Sequence, residues 1–247
     1  MADQLLLTTP NVWLKLSLIT LKNFQTLSAK AIPVIAIDGP SASGKGTVAQ
    51  LVADKLDFHY LDSGALYRII AMAAQQNKIS WADADALGSL AKTLDIRFET
   101  NEIYLNDTLI TELERAEEMS RGASEVAVHI PVRAALLNLQ HNFRKPPGLV
   151  ADGRDMASVV FPDAALKIFL TASAETRAER RCQQLQNKGL NADYPQILAD
   201  LQQRDLRDSE RSASPLTKTP DALLLDTTQR TIEQAVDFVL HAYNSHL

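Results

Sequence analysis

Three glycines, a lysine and a threonine in the run Gly39-Pro40-Ser41-Ala42-Ser43-Gly44-Lys45-Gly46-Thr47 have the types and spacing to hold the phosphates of a nucleoside triphosphate. Glycines let the backbone bend so that successive N–H groups point at phosphate oxygens, and the N-terminus of a following helix adds about half a positive charge. Lys45 supplies a full one. The strict pattern is G-x-x-x-x-G-K-[ST], but here Gly46 follows the lysine and the hydroxyl comes one place later, at Thr47. A hydroxyl directly after the lysine normally ligates magnesium. Its displacement implies that Mg²⁺ is held mainly by phosphates and water, with Thr47 near the α- and β-phosphates. The alternative is a glycine-rich turn without a ligand, but the chain has only nine glycines, and a chance pairing with Lys45 between a strand and a helix is improbable.

A second substrate is suggested by three further groups. Asp62-Ser63-Gly64-Ala65-Leu66-Tyr67-Arg68 sets a hydroxyl and an arginine one helical turn apart. Asp152-Gly153-Arg154-Asp155 follows an apolar run, so Asp152 resembles a Walker B carboxylate able to hold a magnesium-bound water, and Arg154 suits a phosphate. Arg177, Arg180, Arg181, Arg204, Arg207 and Arg211 are six of the fourteen arginines, within 35 residues. An N-cap at Ser63, a polar turn at 152–155 and a salt-bridged helical surface are the alternatives. The chemistry favours a lid, because two phosphates brought together set like charges at a cost of about 4 kcal/mol at 4 Å and an effective dielectric near 20. Forked guanidinium groups offset that better than lysine does.

These groups need a scaffold that presents loops at one edge. The apolar runs Val34–Ile37, Phe58–Leu61, Gly148–Ala151, Leu166–Leu170 and Leu223–Asp226 read as strands, alternating with helices over 48–56, 64–76 and 231–243. Alternation predicts an α/β fold, a doubly wound parallel sheet with right-handed crossovers, whose ligands lie beyond the carboxyl ends of the strands. Residues 96–110 alternate apolar and polar around Asn-bearing turns and predict a small antiparallel sheet inserted beside this core, within an insert of about 95–144. The arginine lid spans about 174–212.

A net charge of −5 argues against a nucleic-acid surface, and a single cysteine, Cys182, against an intramolecular disulfide. No zinc-ligand spacing is present. A reducing cytoplasm is expected. Residues 1–31 are apolar but interrupted by Lys15 and Lys22, too broken to span a bilayer, and form an extension of no assigned role before a domain over 32–247. Asn187-Lys188-Gly189-Leu190 has leucine where a guanine-reading N-K-x-D motif needs aspartate, which argues against a GTPase switch.

Over about 32–243 the chain resembles the bacterial cytidylate kinases, in the motifs GPSASGKGT at 39–47, LDSGALYR at 61–68, ASEVAVHIPVRAALL at 123–137, LVADGRDMASVVFPDA at 149–164 and QQRDLRDSERSASPL at 202–216. The resemblance implies an ATP-dependent (d)CMP kinase, acting on ATP and CMP or dCMP with magnesium; a monomer is expected, and from charge and hydropathy no nucleic-acid or membrane partner. It implies that Ser63, Arg68 and Arg154 bind the acceptor monophosphate, that Ser124, Arg133, Asp155 and Arg211 line the cytosine site, and that Arg204 and Asp208 hold the ribose. Gly39 to Thr47 would bind ATP, and Lys45, Arg154, Arg177 and Arg181 would be catalytic. The family pattern has glycine where Ala157 stands and Ile-Arg-Ser/Thr where Glu114-Arg115-Ala116 stands.

Overall fold

The computed structural model describes residues 32–99, 102–111 and 117–246. The extension 1–31 and the Glu114-Arg115-Ala116 departure lie outside them.

Strand β1 (Val34–Asp38) runs in the middle of the sheet because it is apolar on both faces. Val34 and Ala36 pack into one buried cluster, while Ile35 and Ile37 pack into a second on the opposite side. That is the period-two signature of a strand covered above and below. β2 (His59–Asp62), β6 (Leu149–Gly153), β7 (Leu166–Thr171) and β8 (Leu223–Asp226) complete a sheet in the order β2-β6-β1-β7-β8. Every pairing in it is parallel. Helix α1 (Lys45–Leu56) and the last helix, α8 (Ile232–His246), cover one face. Helix α2 (Ser63–Gln76) covers the other. The doubly wound expectation is met. The chain leaves β1 for one edge at β2, returns to β6 beside β1, then crosses to β7, so the crevice between diverging connections opens beyond β1 and β6.

Three helices and a small sheet extend the second face. α3 (Ala84–Thr93) begins at an Asp83 cap, and β3 (Ile96–Glu99), β4 (Glu102–Leu105) and β5 (Thr108–Leu109) form the expected antiparallel unit. α4 (Glu117–Val126) and α5 (Ile130–His141) follow, then α6 (Ala174–Asn187) and α7 (Tyr194–Glu210) later in the chain. Helix α1 starts at Lys45 rather than Val48, since the end of the glycine-rich loop is already helical. No described helix is long and apolar enough to cross a membrane.

One element was not foreseen, a π-helical turn over Met156–Val160. Its cause is Asp38, whose two carboxylate oxygens each accept a backbone N–H at 2.8 Å, from Met156 and from Ala157. This widens the turn so that Val160 N–H reaches Asp155 O at 3.1 Å. Burial pushes the Asp38 carboxyl up to about 7, against the pull of those two N–H groups. Ala157 lies outside the left-handed backbone region, so this position does not need the glycine that the family pattern places there.

The loop after β1 has no room for a side chain at its first residue. A Cβ on Gly39 would lie 1.9 Å from the Leu170 carbonyl oxygen of β7. Gly39→Ala is therefore expected to cost about 1–3 kcal/mol by overpacking, lowering the thermal midpoint by about 2–12 °C in a scan against the parent protein.

Candidate active site

The carboxyl ends of β1, β2 and β6 open into a cleft of about 990 Å³, walled on its far side by α6 and α7. At one end of the cleft the loop 39–47 has Ala42 and Gly44 at positive φ, 57° and 90°, which bends it into a concave run ending on the N-terminus of α1. Lys45 Nζ donates to Pro40 O at 3.3 Å. Burial and the neighbouring Arg154 pull its ammonium down to about 7, although Asp152 and Asp62 act the other way.

Asp62 caps α2 by accepting from Ala65 N–H at 3.0 Å, and Arg68 Nη2 donates to it at 2.8 Å. Burial alone would raise the Asp62 carboxyl, but Arg68 and the N-cap bond hold it below the usual range. Tyr60 Oη donates to Asp152 Oδ1 at 2.9 Å. Burial, then the charge of Asp62, pushes Asp152 up to about 6. Arg154 turns toward α7, its Nε donating to Asp208 Oδ2 at 2.7 Å. Burial acts against ionisation of Asp208, and Arg154 with Arg204 outweighs it.

Elsewhere in the cleft, Asp155 and Arg133 form a buried ion pair, and Arg133 also donates to Ala127 O at 3.1 Å. The Arg133 guanidinium lies 5.8 Å from the Tyr67 ring centre. Beside them the Ser124 hydroxyl is buried and without a hydrogen-bond partner among the described residues. Arg204 Nε, Arg207 Nε and Arg211 Nη2 are in the same condition and line the same cleft. Burial and then Arg154 pull Arg204 down to about 10. Arg181 lines the cleft as well, held below its ordinary range by burial and by Arg68. Four buried donor groups left unpaired on cleft residues are costly unless a ligand accepts from them.

The sequence matches the cytidylate kinase family over residues 35–245. The chain belongs to that family. The cytidylate kinase of Polynucleobacter asymbioticus is 55% identical over 215 residues, covering 87% of this chain and 98% of its own. That of Chromobacterium violaceum is 56% identical over 209 residues, covering 85% and 94%. Among solved structures, an uncharacterized protein from Eubacterium ventriosum aligns over 86% of this chain and 99% of its own with a TM-score of 0.50 at 12% identity, a likeness of fold alone.

Within this cytidylate kinase fold, the expected residues Lys45, Ser63, Arg68, Ser124, Arg133, Arg154, Asp155, Arg181, Arg204, Asp208 and Arg211 all line the one cleft. Arg177 does not. It is 4% exposed and bonded bidentately to Asp205 at 3.1 and 2.6 Å, and it donates to Ala172 O at 3.0 Å and Ser41 O at 3.2 Å. The Arg177 fork thus sits behind the loop, on Asp205 and the Ser41 carbonyl, and not in the cleft where a phosphate arm was expected. Tyr60, Asp62 and Tyr67 line the cleft without having been singled out. Their position in β2 and on the first turns of α2, which follows it directly, was the available signal.

No group of three metal-ligating side chains occurs among the described residues. The oxygen donors near the phosphate loop fit magnesium at one point. Asp152 Oδ1 is taken by Tyr60, while Oδ2 lies 3.8 Å from the Cβ position of Gly46. One carboxylate beside a phosphate site suits an ion that keeps most of its water.

Proposed function

We propose that the chain transfers the γ-phosphoryl group of ATP to CMP or dCMP, giving ADP and CDP or dCDP. The observation that carries this is the convergence of Lys45, the unpaired donors of Arg204, Arg207 and Arg211, and the Asp155–Arg133–Ser124 group in one cleft. A buried ammonium and unpaired guanidinium N–H groups suit a nucleotide, whose phosphates, ribose hydroxyls and base edge all accept from them. The third offers a carboxylate, a guanidinium and a hydroxyl to the edge of a base. Cytosine presents an amine donor beside N3 and O2 acceptors, which this set complements, whereas uracil would leave the carboxylate facing another acceptor.

In this reading, loop N–H groups and Lys45 hold the donor phosphates, Ser63, Arg68 and Arg154 hold the acceptor phosphate, and Arg204 and Asp208 hold the ribose. An oxygen of the acceptor phosphate bonds to the γ-phosphorus in line as the bond to the β-bridging oxygen breaks, and ADP leaves with that electron pair. The acceptor is already an anion, so no general base is required. Catalysis is positioning and charge stabilisation by Lys45, Arg154 and Arg181. Magnesium, when bound, would neutralise phosphate charge, held by phosphate oxygens and by water on Asp152. The domain is taken as 32–247, with an insert of about 95–144 and a lid of about 174–212 that closes before transfer and excludes water. A monomer in the cytoplasm, acting on free nucleotides, is consistent with this substrate class.

A coupled ADP-release assay with Mg-ATP and each of CMP, dCMP, UMP, AMP and GMP tests the reading. Turnover with CMP and dCMP is expected to exceed the others about a hundredfold or more. Equal rates with UMP or AMP would remove the base assignment, and no stimulation by any monophosphate would remove the kinase.

A further inference from the structure

Three side chains outside the cleft grip the phosphate loop by its carbonyls. Arg177 Nη1 donates to Ser41 O at 3.2 Å, and Arg180 Nη1 donates to Ser43 O, also at 3.2 Å. Thr227, 4% exposed at the end of β8, has its Oγ1 3.1 Å from Ser43 O and 3.0 Å from Thr171 O. A hydroxyl has one proton, so it donates to one of these carbonyls at a time, while its oxygen accepts from Arg180 Nη1 at 3.1 Å. The group is itself anchored. Arg180 Nη2 donates to Thr227 O at 2.6 Å, Thr227 N–H donates to Thr171 O at 2.8 Å, and Asp205 holds the Arg177 fork. None of the three lines the cleft.

Between the two gripped peptides lie Ala42 and Ser43, and Ala42 has a φ of 57°. That is the left-handed region, which an L-residue with a Cβ avoids. Such a conformation persists when its surroundings over-determine it. Here the peptide before Ala42 is held by Arg177, and the Ser43–Gly44 peptide, the next but one, by Arg180 and Thr227, so the two residues between them are fixed at both ends. Drawing carbonyl oxygens toward cations on one side also turns the corresponding N–H groups toward the other, which is the geometry an anion-binding loop needs.

We propose that Arg177, Arg180 and Thr227 are positioning residues that hold Ala42 in its left-handed conformation and so aim the loop N–H groups at the donor phosphates. The inference rests on the ATP reading of that loop. It predicts a defect confined to the donor, relieved by making residue 42 easier to bend.

The test uses Thr227→Val and Arg180→Lys in the full chain, each alone and combined with Ala42→Gly. Lysine keeps the charge, but one ammonium cannot reach Ser43 O and both Thr227 oxygens as the fork does. Steady-state KM for ATP and for CMP is measured, with ATP affinity by calorimetry. Each single variant is expected to raise KM for ATP about tenfold with KM for CMP within about twofold, and Ala42→Gly is expected to recover about fivefold of the loss, since glycine enters this region without penalty. Both KM values rising together, or no recovery from Ala42→Gly, would overturn the brace and leave general structural support. Calorimetry judges the brace even where turnover is absent, so a parent protein that binds ATP but shows no CMP-stimulated turnover would defeat the kinase reading separately.

Discussion

Lys45→Met is expected to lower kcat/KM about 10³-fold, the scale of removing one preorganised charge from a developing phosphoryl anion, without lowering the stability of the nucleotide-free protein. The two halves have one cause. In the free cleft the ammonium is drawn down to about 7, first by burial and then by Arg154. A folded-state value below the unfolded one means that the unfolded chain binds more protons between about pH 7 and the ordinary lysine range. Stability contributed at this position therefore rises with pH across that window, and below about 7 the folded state carries the full cost of a buried cation. Methionine removes that cost, and denaturant unfolding at pH 7 should show an unchanged or higher midpoint beside the lost activity. ATP reverses the balance by favouring the ammonium. ATP affinity is therefore expected to weaken as pH rises above about 7, and binding at pH 8 should take up a proton. Calorimetry in two buffers of different ionisation heat reads that uptake directly, and the uptake should vanish in Lys45→Met. A pH-independent affinity between 6.5 and 8.5 would sink this account.

The same cation shows how far the sequence reaches. Lysine after glycine, between an apolar strand and a helix, is a local pattern, and it located Lys45 at the start of α1 without any knowledge of the fold. Arg154 and Asp155 were legible for a similar reason, since residues just past a buried strand must emerge at its carboxyl end. Arg177 was not. Nothing in the spacing of α6 distinguishes a fork that enters the cleft from one that turns behind it toward Asp205 and Ser41. That choice is made by the packing of α6 on α7, which brings Asp205 to the fork. Asp38 was missed for a related reason: its partners, Met156 and Ala157, are more than a hundred residues away in sequence. Thr227 and Ala42 are ordinary residues in sequence, and their roles exist only where β8 ends beside the phosphate loop.

Asp155→Asn is expected to abolish the preference for cytosine more than it abolishes phosphoryl transfer. Asp155 is buried and paired with Arg133, which is itself largely enclosed by Ala127 and the Tyr67 ring. Truncation to alanine would leave that guanidinium buried without its anion, a loss of about 3–5 kcal/mol that mixes folding with recognition. Asparagine keeps the shape and one acceptor for Arg133, so the fold is spared and the edge of the base is the variable that changes. A carboxylate accepts from the cytosine amine and opposes the carbonyl that uracil places there. An amide offers a donor or an acceptor according to which way it is turned, so it no longer penalises uracil. For CMP, kcat/KM should fall about 10²-fold or more through loss of the charge-assisted bond. For UMP it should hold or rise a few fold, with the thermal midpoint close to that of the parent. The ratio of the two is the informative quantity, because a damaged active site would lower both together. A CMP to UMP ratio preserved within about threefold would show that another group reads the base, and the unpaired Ser124 hydroxyl and Arg211 Nη2 would then be the side chains to replace next.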